Sequence, residues 1–162
     1  MSVQSAGNSY RLHFGESRVE ADAFALEALA SRESAVTADN AESYFKAVTS
    51  YRETLLEEVD AEWIRPFREK YHAHFVDAVR KLTAYYEEAR VEALKRMEIY
   101  ELLLKYEPYD DHARGKALRL RFNLQGRDGA EQYYREYEKL LATELGIKPG
   151  PYARQTYEDL LN

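Results

Sequence analysis

The side chains that could carry chemistry in this chain include four histidines, and none of them belongs to a recognisable reactive motif. His72 and His74 lie two residues apart. On a helix such residues point to different faces, so they cannot share a metal ion as an i,i+4 pair would. His112 follows Asp110 and Asp111 and is interpreted as a helix-start residue rather than half of an acid–base pair. The sequence therefore predicts no catalytic residue, no metal site and no cofactor, and hence a non-enzymatic protein.

A cluster of positive charge stands out in a chain whose net charge is −6. We call it the basic cluster, and its members are Arg114, Lys116, Arg119, Arg121 and Arg127. Such a cluster could bind an acidic segment of a partner or a small anionic ligand. A solvated helix face is the plainer interpretation, and both stay open. The four arginines are candidate partner- or ligand-binding residues.

Tyrosine is the second unusual feature, with 14 copies against six Phe and one Trp. Six of these tyrosines have a helical spacing that predicts a place in the core for most of them. They are Tyr85, Tyr86, Tyr100, Tyr133, Tyr134 and Tyr137. Neighbouring residues project about 100° apart on a helix, so we expect that adjacent pairs cannot both face inward. An exposed tyrosine on a concave helical surface would anchor a partner, which makes Tyr86 and Tyr134 further candidate binding residues.

Length and composition limit the class of protein. The 162 residues suit one domain, and the absence of cysteine excludes disulfides and thiolate metal sites. The sequence contains no apolar run long enough to span a bilayer, and its polar start is not that of a signal peptide, so no membrane association is expected. The acidic balance repels phosphate and predicts poor binding of nucleic acid by this chain alone.

The first 60 residues predict mixed structure. Residues 10–21 begin with strict alternation of apolar and polar side chains, which is typical of a short strand in a hairpin or extended segment. Asp22 is expected to cap a helix that fades near Glu33. Asp39 is expected to cap a second helix that runs through Val59.

The remaining 100 residues predict a series of helices. Proline and aspartate mark the expected starts of helices, at Pro66, at Asp110 or Asp111, and at Pro149 with Pro151. Proline and glycine mark expected ends at Pro108, Gly126 and Gly146, and the apolar face of the first long helix ends at about residue 88. Two similar segments, residues 89–93 and 126–130, lie 37 positions apart. Each lies between two predicted helices and precedes an aromatic-rich helix, so we expect the helices to form pairs. A period in the mid-thirties built of helix–turn–helix units indicates a tetratricopeptide-like stack. The predicted fold is therefore all-α, with a short N-terminal hairpin or extended segment.

The chain resembles the bacterial transcriptional activator domain of the streptomyces antibiotic regulatory protein type. The resemblance runs from about Tyr10 to the end. Its most specific segments are residues 126–130, the tyrosine-bearing helix that follows, the Glu-Leu-Gly-Ile-Lys-Pro ending at 144–149, and residues 157–161. Trp63 and Pro66 also fit the mid-domain pattern of the family. The opening residues 10–24 resemble the join between a winged-helix domain and this helical domain.

The resemblance implies a regulator of transcription in the bacterial cytoplasm, with a helical half that dimerises or contacts the transcription machinery. Residues 1–21 would be the remnant of a winged-helix domain, and residues 22–162 the activator domain. The chain has no helix-turn-helix of its own, so DNA would be bound only through a winged-helix domain absent from it. The expected partner is thus protein, either a second copy or the transcription machinery. The alternative is a signal sensor that binds a small anionic ligand or peptide in the helical groove.

Overall fold

The structure, a computed structural model, describes residues 2–6, 9–13, 27, 29, 35–51 and 62–161. The order of elements is β1 (Ser2–Ala6), β2 (Ser9–His13), α1 (Ala41–Thr49), a 3-10 turn (Glu62–Ile64), α2 (Arg65–Glu88), α3 (Ala93–Tyr106), α4 (Asp111–Glu144) and α5 (Pro151–Leu161). The predicted all-α, tetratricopeptide-like fold is confirmed.

The N-terminal segment forms an antiparallel hairpin, the first of the two predicted alternatives. Ser2 pairs with His13 at one end of the ladder, and Ala6 pairs with Ser9 at the other. The alternation that begins at residue 10 therefore belongs to the second strand, and the polar start of the chain supplies the first.

The next two predicted helices are only partly covered by the described residues. Glu27 and Leu29 are helical, while the rest of the segment from Asp22 to Glu33 lies outside the described residues. The capping prediction for Asp39 was wrong, because α1 begins at Ala41 and the residue before it is Asn40.

Asn40 does not cap α1 with its side chain. It accepts a hydrogen bond from the Thr37 amide at 2.7 Å and donates one to the Ala35 carbonyl at 3.2 Å, which closes the preceding turn. The helix ends at Thr49, so it is shorter than predicted, and Tyr51 follows as a fully buried residue. Residues 52–61, which include the predicted end at Val59, lie outside the described residues.

Two helical hairpins form the stack. α2 and α3 are joined by a turn in which Arg90 takes a left-handed backbone conformation, with φ of 53°. α4 is broken at Gly126, whose φ of 73° and ψ of −164° are almost exclusive to glycine. These two corners confirm the predicted repeat.

The second glycine of that corner, Gly129, has a different role from Gly126. Gly129 does not have a positive φ. A Cβ there would lie 2.5 Å from the Cβ of Gln125, so glycine is needed for close approach rather than for left-handed geometry.

The last helix closes the stack. α5 packs on α4, where Ala153 and Thr156 are buried. Its outer residues Arg154, Gln155 and Glu158 are exposed. A polar outer face on a terminal helix is typical of the capping unit of a helical repeat. None of the described helices combines the length and the apolar character needed to cross a membrane.

Two adjacent aspartates fix the starts of two different helices. Asp110 caps α4, as predicted, by accepting a hydrogen bond from the Ala113 amide at 2.9 Å. Asp111 reaches the start of α5, where its Oδ2 accepts hydrogen bonds from the amides of Tyr152 at 2.9 Å and Ala153 at 3.2 Å. Because the first amides of a helix have no partner within the helix, Asp111 supplies a cap from a distant part of the chain.

Candidate functional site

The basic cluster does not form a free cationic face. Each of its five members has an intramolecular acceptor. The pairs are Arg114 with the Pro108 carbonyl at 3.0 Å, Lys116 with Glu87 at 2.9 Å, Arg119 with Asp159 at 3.7 Å, Arg121 with Glu101 at 2.6 Å, and Arg127 with Glu131 at 3.2 Å. A partner role for these residues stays a prediction, and each such contact would compete with a pair inside the molecule.

Two members of the basic cluster also pack on aromatic rings. The Arg114 guanidinium lies 4.7 Å from the ring centre of Tyr137 and 5.3 Å from that of Tyr133. Arg121 approaches the ring of Tyr133 at 5.3 Å. An arginine over an aromatic face is attracted by the ring quadrupole, and the attraction grows when the pair is shielded from water. Arg114 and Arg121 therefore join the two halves of α4.

The expectation that adjacent tyrosines cannot both face inward was wrong for Tyr133 and Tyr134, which are 9% and 5% exposed. Tyr133 faces the first half of α4, whereas Tyr134 stacks on Tyr157 of α5 with ring centres 4.0 Å apart. The second half of α4 has a neighbour on each side, so two directions that differ by about 100° can both be buried.

The other candidate tyrosine is buried as well. Tyr86 is 3% exposed, and Lys95 places its ammonium 5.7 Å from the centre of the Tyr86 ring and 5.0 Å from that of Phe45. As folded, Tyr86 and Tyr134 contribute to the core. A role as partner anchors stays a prediction for both.

Burial also changes the ionisation of the core tyrosines. It raises the pKa of Tyr134 and that of Tyr137 to about 12. Burial raises the pKa of Tyr100 further, with an added contribution from its hydrogen bond to Glu87. These phenols are therefore neutral throughout the physiological range of pH.

A concave site with converging polar groups lies where α2 and α4 face each other. We call it the α2–α4 cleft, and its volume is about 260 Å³. Its lining residues are Arg80, Thr83, Ala84 and Glu87 from α2, Tyr100 and Leu103 from α3, Asp110 before α4, and His112, Ala113 and Lys116 from α4. Two successive hairpins thus contribute to one cleft.

A bridged carboxylate lies in the cleft. Glu87 accepts hydrogen bonds from the Tyr100 hydroxyl at 2.8 Å and from the Lys116 ammonium at 2.9 Å. Burial raises the pKa of the Glu87 carboxyl, but the hydrogen bonds from Lys116 and Tyr100 outweigh it and hold the pKa below its ordinary value. Glu87 is therefore a satisfied anion that joins α2, α3 and α4.

The remaining polar groups of the cleft are more loosely held. Arg80 contacts Asp110 at 3.4 Å, and its side chain is 67% exposed. His112 is exposed and stacks on Tyr152, with ring centres 4.3 Å apart. The sequence reasoning did not identify Arg80. Its one signal was the spacing of Arg80, Ala84 and Glu87 along one side of α2, opposite the apolar residues that pack inward.

His72, one of the two histidines considered for metal binding, has a structural environment. The Tyr51 hydroxyl lies 2.9 Å from His72 Nδ1, and Glu107 Oε1 lies 2.5 Å from His72 Nε2. His72 thereby connects the residues after α1 to the loop between α3 and α4. The part of the chain that the structure describes contains no group of three or more histidine, aspartate or glutamate side chains placed to hold a metal ion.

Comparison with known proteins identifies the family. Residues 17–161 match the family of the bacterial transcriptional activator domain, and the chain belongs to it. The chain is therefore a domain of the kind found in bacterial regulators of transcription, and this family is regulatory rather than enzymatic. No curated protein and no solved structure matches the chain.

Proposed function

We propose that this chain is the regulatory protein-interaction module of a bacterial transcription regulator, acting by self-association or by contact with the transcription machinery. The observation that carries this proposal is the match to the activator-domain family over residues 17–161. A helical stack offers a broad, rigid surface for a protein partner, since its hairpins bury their apolar sides against one another. The regulator would act in the cytoplasm and perform no catalysis.

Arg119 and Arg127 are the exposed members of the basic cluster and are the ones best placed for such a contact. The side chain of Arg119 is 48% exposed and lies 3.7 Å from Asp159, a solvent-screened pair that costs little to separate. DNA would be reached through a winged-helix domain. Residues 1–21 would belong to that domain and residues 22–162 to the activator domain.

Two measurements on the isolated chain test this proposal. Sedimentation equilibrium should show a concentration-dependent dimer, or fluorescence anisotropy should show binding of the labelled chain to purified bacterial RNA polymerase. Arg119→Glu should weaken whichever association is found. Arg135→Glu, a reversal of an exposed arginine outside the basic cluster, is the matched control. A strict monomer at high concentration that also fails to bind the polymerase would overturn the proposal.

A second function, that of a signal sensor, is favoured by the α2–α4 cleft. The cleft brings two basic side chains and one histidine to a concave surface shared by successive hairpins. A small anionic ligand or a peptide bound there would contact both hairpins at once. A thermal-shift screen with anionic metabolites tests this function, and a flat response across the screen would count against it.

A further inference from the structure

We propose that the α2–α4 cleft binds the carboxylate of a small aliphatic acid, with Arg80 as the principal contact and Lys116 and His112 as additional donors. This inference rests on the sensor function and gives it a ligand class and a set of residues. Only Lys116 belongs to the basic cluster that the sequence indicated, so the site differs from the predicted one.

The first argument is the balance of satisfied and unsatisfied charge. Both carboxylates of the cleft are already engaged, Glu87 by Lys116 and Tyr100, and Asp110 by the Ala113 amide at the start of α4. Arg80 has no described contact other than the one to Asp110 at 3.4 Å. The guanidinium has five donors in a planar fork that matches a carboxylate, so most of its donors remain available to a ligand.

The second argument is the position of the other donors. Lys116 gives one hydrogen bond, to Glu87, and an ammonium has three protons. No hydrogen bond to either ring nitrogen of His112 occurs among the described residues, and its ring is held by stacking on Tyr152. A carboxylate between α2 and α4 would therefore meet cationic or neutral donors from both helices.

The third argument is size and apolar surface. A cleft of about 260 Å³ lies below the range of about 300–1,000 Å³ that is typical of pockets for drug-sized ligands. Ala84, Leu103 and Ala113 supply apolar lining between the polar groups. A short aliphatic chain would contact these side chains, whereas inorganic phosphate has no apolar part to bury.

Ligand binding at this cleft has a structural consequence. Arg80 belongs to the first hairpin, and His112 and Lys116 belong to the second. A ligand that contacts both adds a link between units that already meet through packing and through ion pairs such as Lys116–Glu87, and it stabilises the arrangement to which it binds. Occupancy could in this way change the surface that the stack presents to a partner.

The test is a titration of the full 162-residue chain with sodium valerate at constant ionic strength, followed by amide chemical shifts in ¹H–¹⁵N spectra. Shift changes should concentrate at Arg80, Ala84, Ala113 and Lys116. Pentan-1-ol, which has the same carbon chain without a charge, should cause much smaller changes. Arg80→Gln should weaken valerate binding about tenfold or more, the loss expected for one charge-assisted hydrogen-bonded pair.

The matched control is Arg135→Gln. The Arg135 side chain is 71% exposed and lies 3.3 Å from Glu131, so it resembles Arg80 in exposure and pairing but is remote from the cleft. Binding should be unchanged in this variant. The proposal is overturned by the absence of shifts at the cleft, by equal weakening in both variants, or by phosphate binding as tightly as valerate. It is also overturned if only a peptide with a C-terminal carboxylate binds.

The outcome is independent of the main proposed function. Loss of valerate binding with intact self-association or polymerase binding would remove the ligand and leave the interaction module. Valerate binding in a chain that neither associates nor binds the polymerase would support the ligand site and remove the interaction module.

Discussion

The C-terminal end of the stack and the α2–α4 cleft use the same kinds of residue for different purposes. At the α4–α5 end, Asp111 makes two hydrogen bonds to backbone amides of α5, and Arg114 lies against two tyrosine rings. In the cleft, Arg80 reaches a single carboxylate at 3.4 Å and is mostly exposed. The charged groups of the C-terminal end hold helices together, whereas in the cleft the Glu87–Lys116 pair joins helices and Arg80 remains available.

This contrast has a simple physical cause. A charged group that is shielded from water and hydrogen-bonded resists rearrangement, because breaking its contacts would leave it unpaired. An exposed ion pair contributes little and exchanges partners with water or ligand at small cost. We therefore expect the C-terminal end to determine stability and the cleft to accept ligands.

The largest effect should come from Tyr137, whose side chain is 2% exposed and contacts Arg114. Tyr137→Ala should lower the free energy of unfolding by about 3–5 kcal/mol, the cost typical of truncating a large buried aromatic side chain. Urea unfolding followed by circular dichroism measures it. Tyr109→Ala removes a tyrosine that is 42% exposed and should cost far less. Similar losses for the two variants would contradict the assignment of Tyr137 to the core.

The next effect separates two members of the basic cluster. Arg114→Gln should cost about 1–3 kcal/mol, because it removes charge-assisted hydrogen bonds and contacts with the Tyr133 and Tyr137 rings. Arg119→Gln, in which a screened pair is lost, should stay within about 0.5 kcal/mol of the parent. The same unfolding measurement compares both. If Arg119→Gln were the more destabilising, the division of the cluster into structural and exposed members would be wrong.

A smaller effect is expected at the cap of α5. Asp111→Ala should cost about 1 kcal/mol, as for the loss of other N-terminal caps. Hydrogen exchange should locate the change, with faster exchange at the amides of Tyr152 and Ala153. Asp128→Ala, an exposed aspartate near the Gly126 corner, serves as the control. Unchanged exchange at the two amides would show that Asp111 does not cap α5.

The smallest effect concerns the cleft and appears only in acid. The pKa of Glu87 is lowered from 4.5, so ionised Glu87 contributes stability fully above the unfolded-state pKa, and this contribution is lost as pH falls through the folded-state value. Glu87→Gln should therefore reduce the fall in unfolding free energy between neutral pH and the region below 4.5. Glu136→Gln, on an exposed part of α4, should leave the fall unchanged. An identical acid dependence in all three proteins would contradict the bridging role of Glu87.

Local signals in the sequence predicted most of the helical architecture. Gly126 marks a corner because few other residues tolerate its backbone angles, and Pro108 follows the end of α3. The prediction at Asp39 failed because the sequence alone does not show which backbone groups a polar side chain will hydrogen-bond. The neighbouring Asn40 starts the helix and turns its side chain back toward Ala35.

The candidate site was predicted less well, since its members are distant in sequence. The basic cluster was chosen from charges that are close in sequence, but four of its five acceptors lie outside α4. Arg80 was missed because one arginine among several on α2 does not stand out until the start of α4 places Asp110 and His112 in the same cleft.

The sequence by itself determined the family, the paired helices and the corner at Gly126, because spacing and backbone preference act over a few residues. The tertiary structure alone decided that Asp111 caps a helix some 40 residues away, that Tyr133 and Tyr134 are both buried, and that Arg80 remains available. These outcomes depend on which surfaces meet across the stack, and contacts over that separation leave no local pattern in the chain.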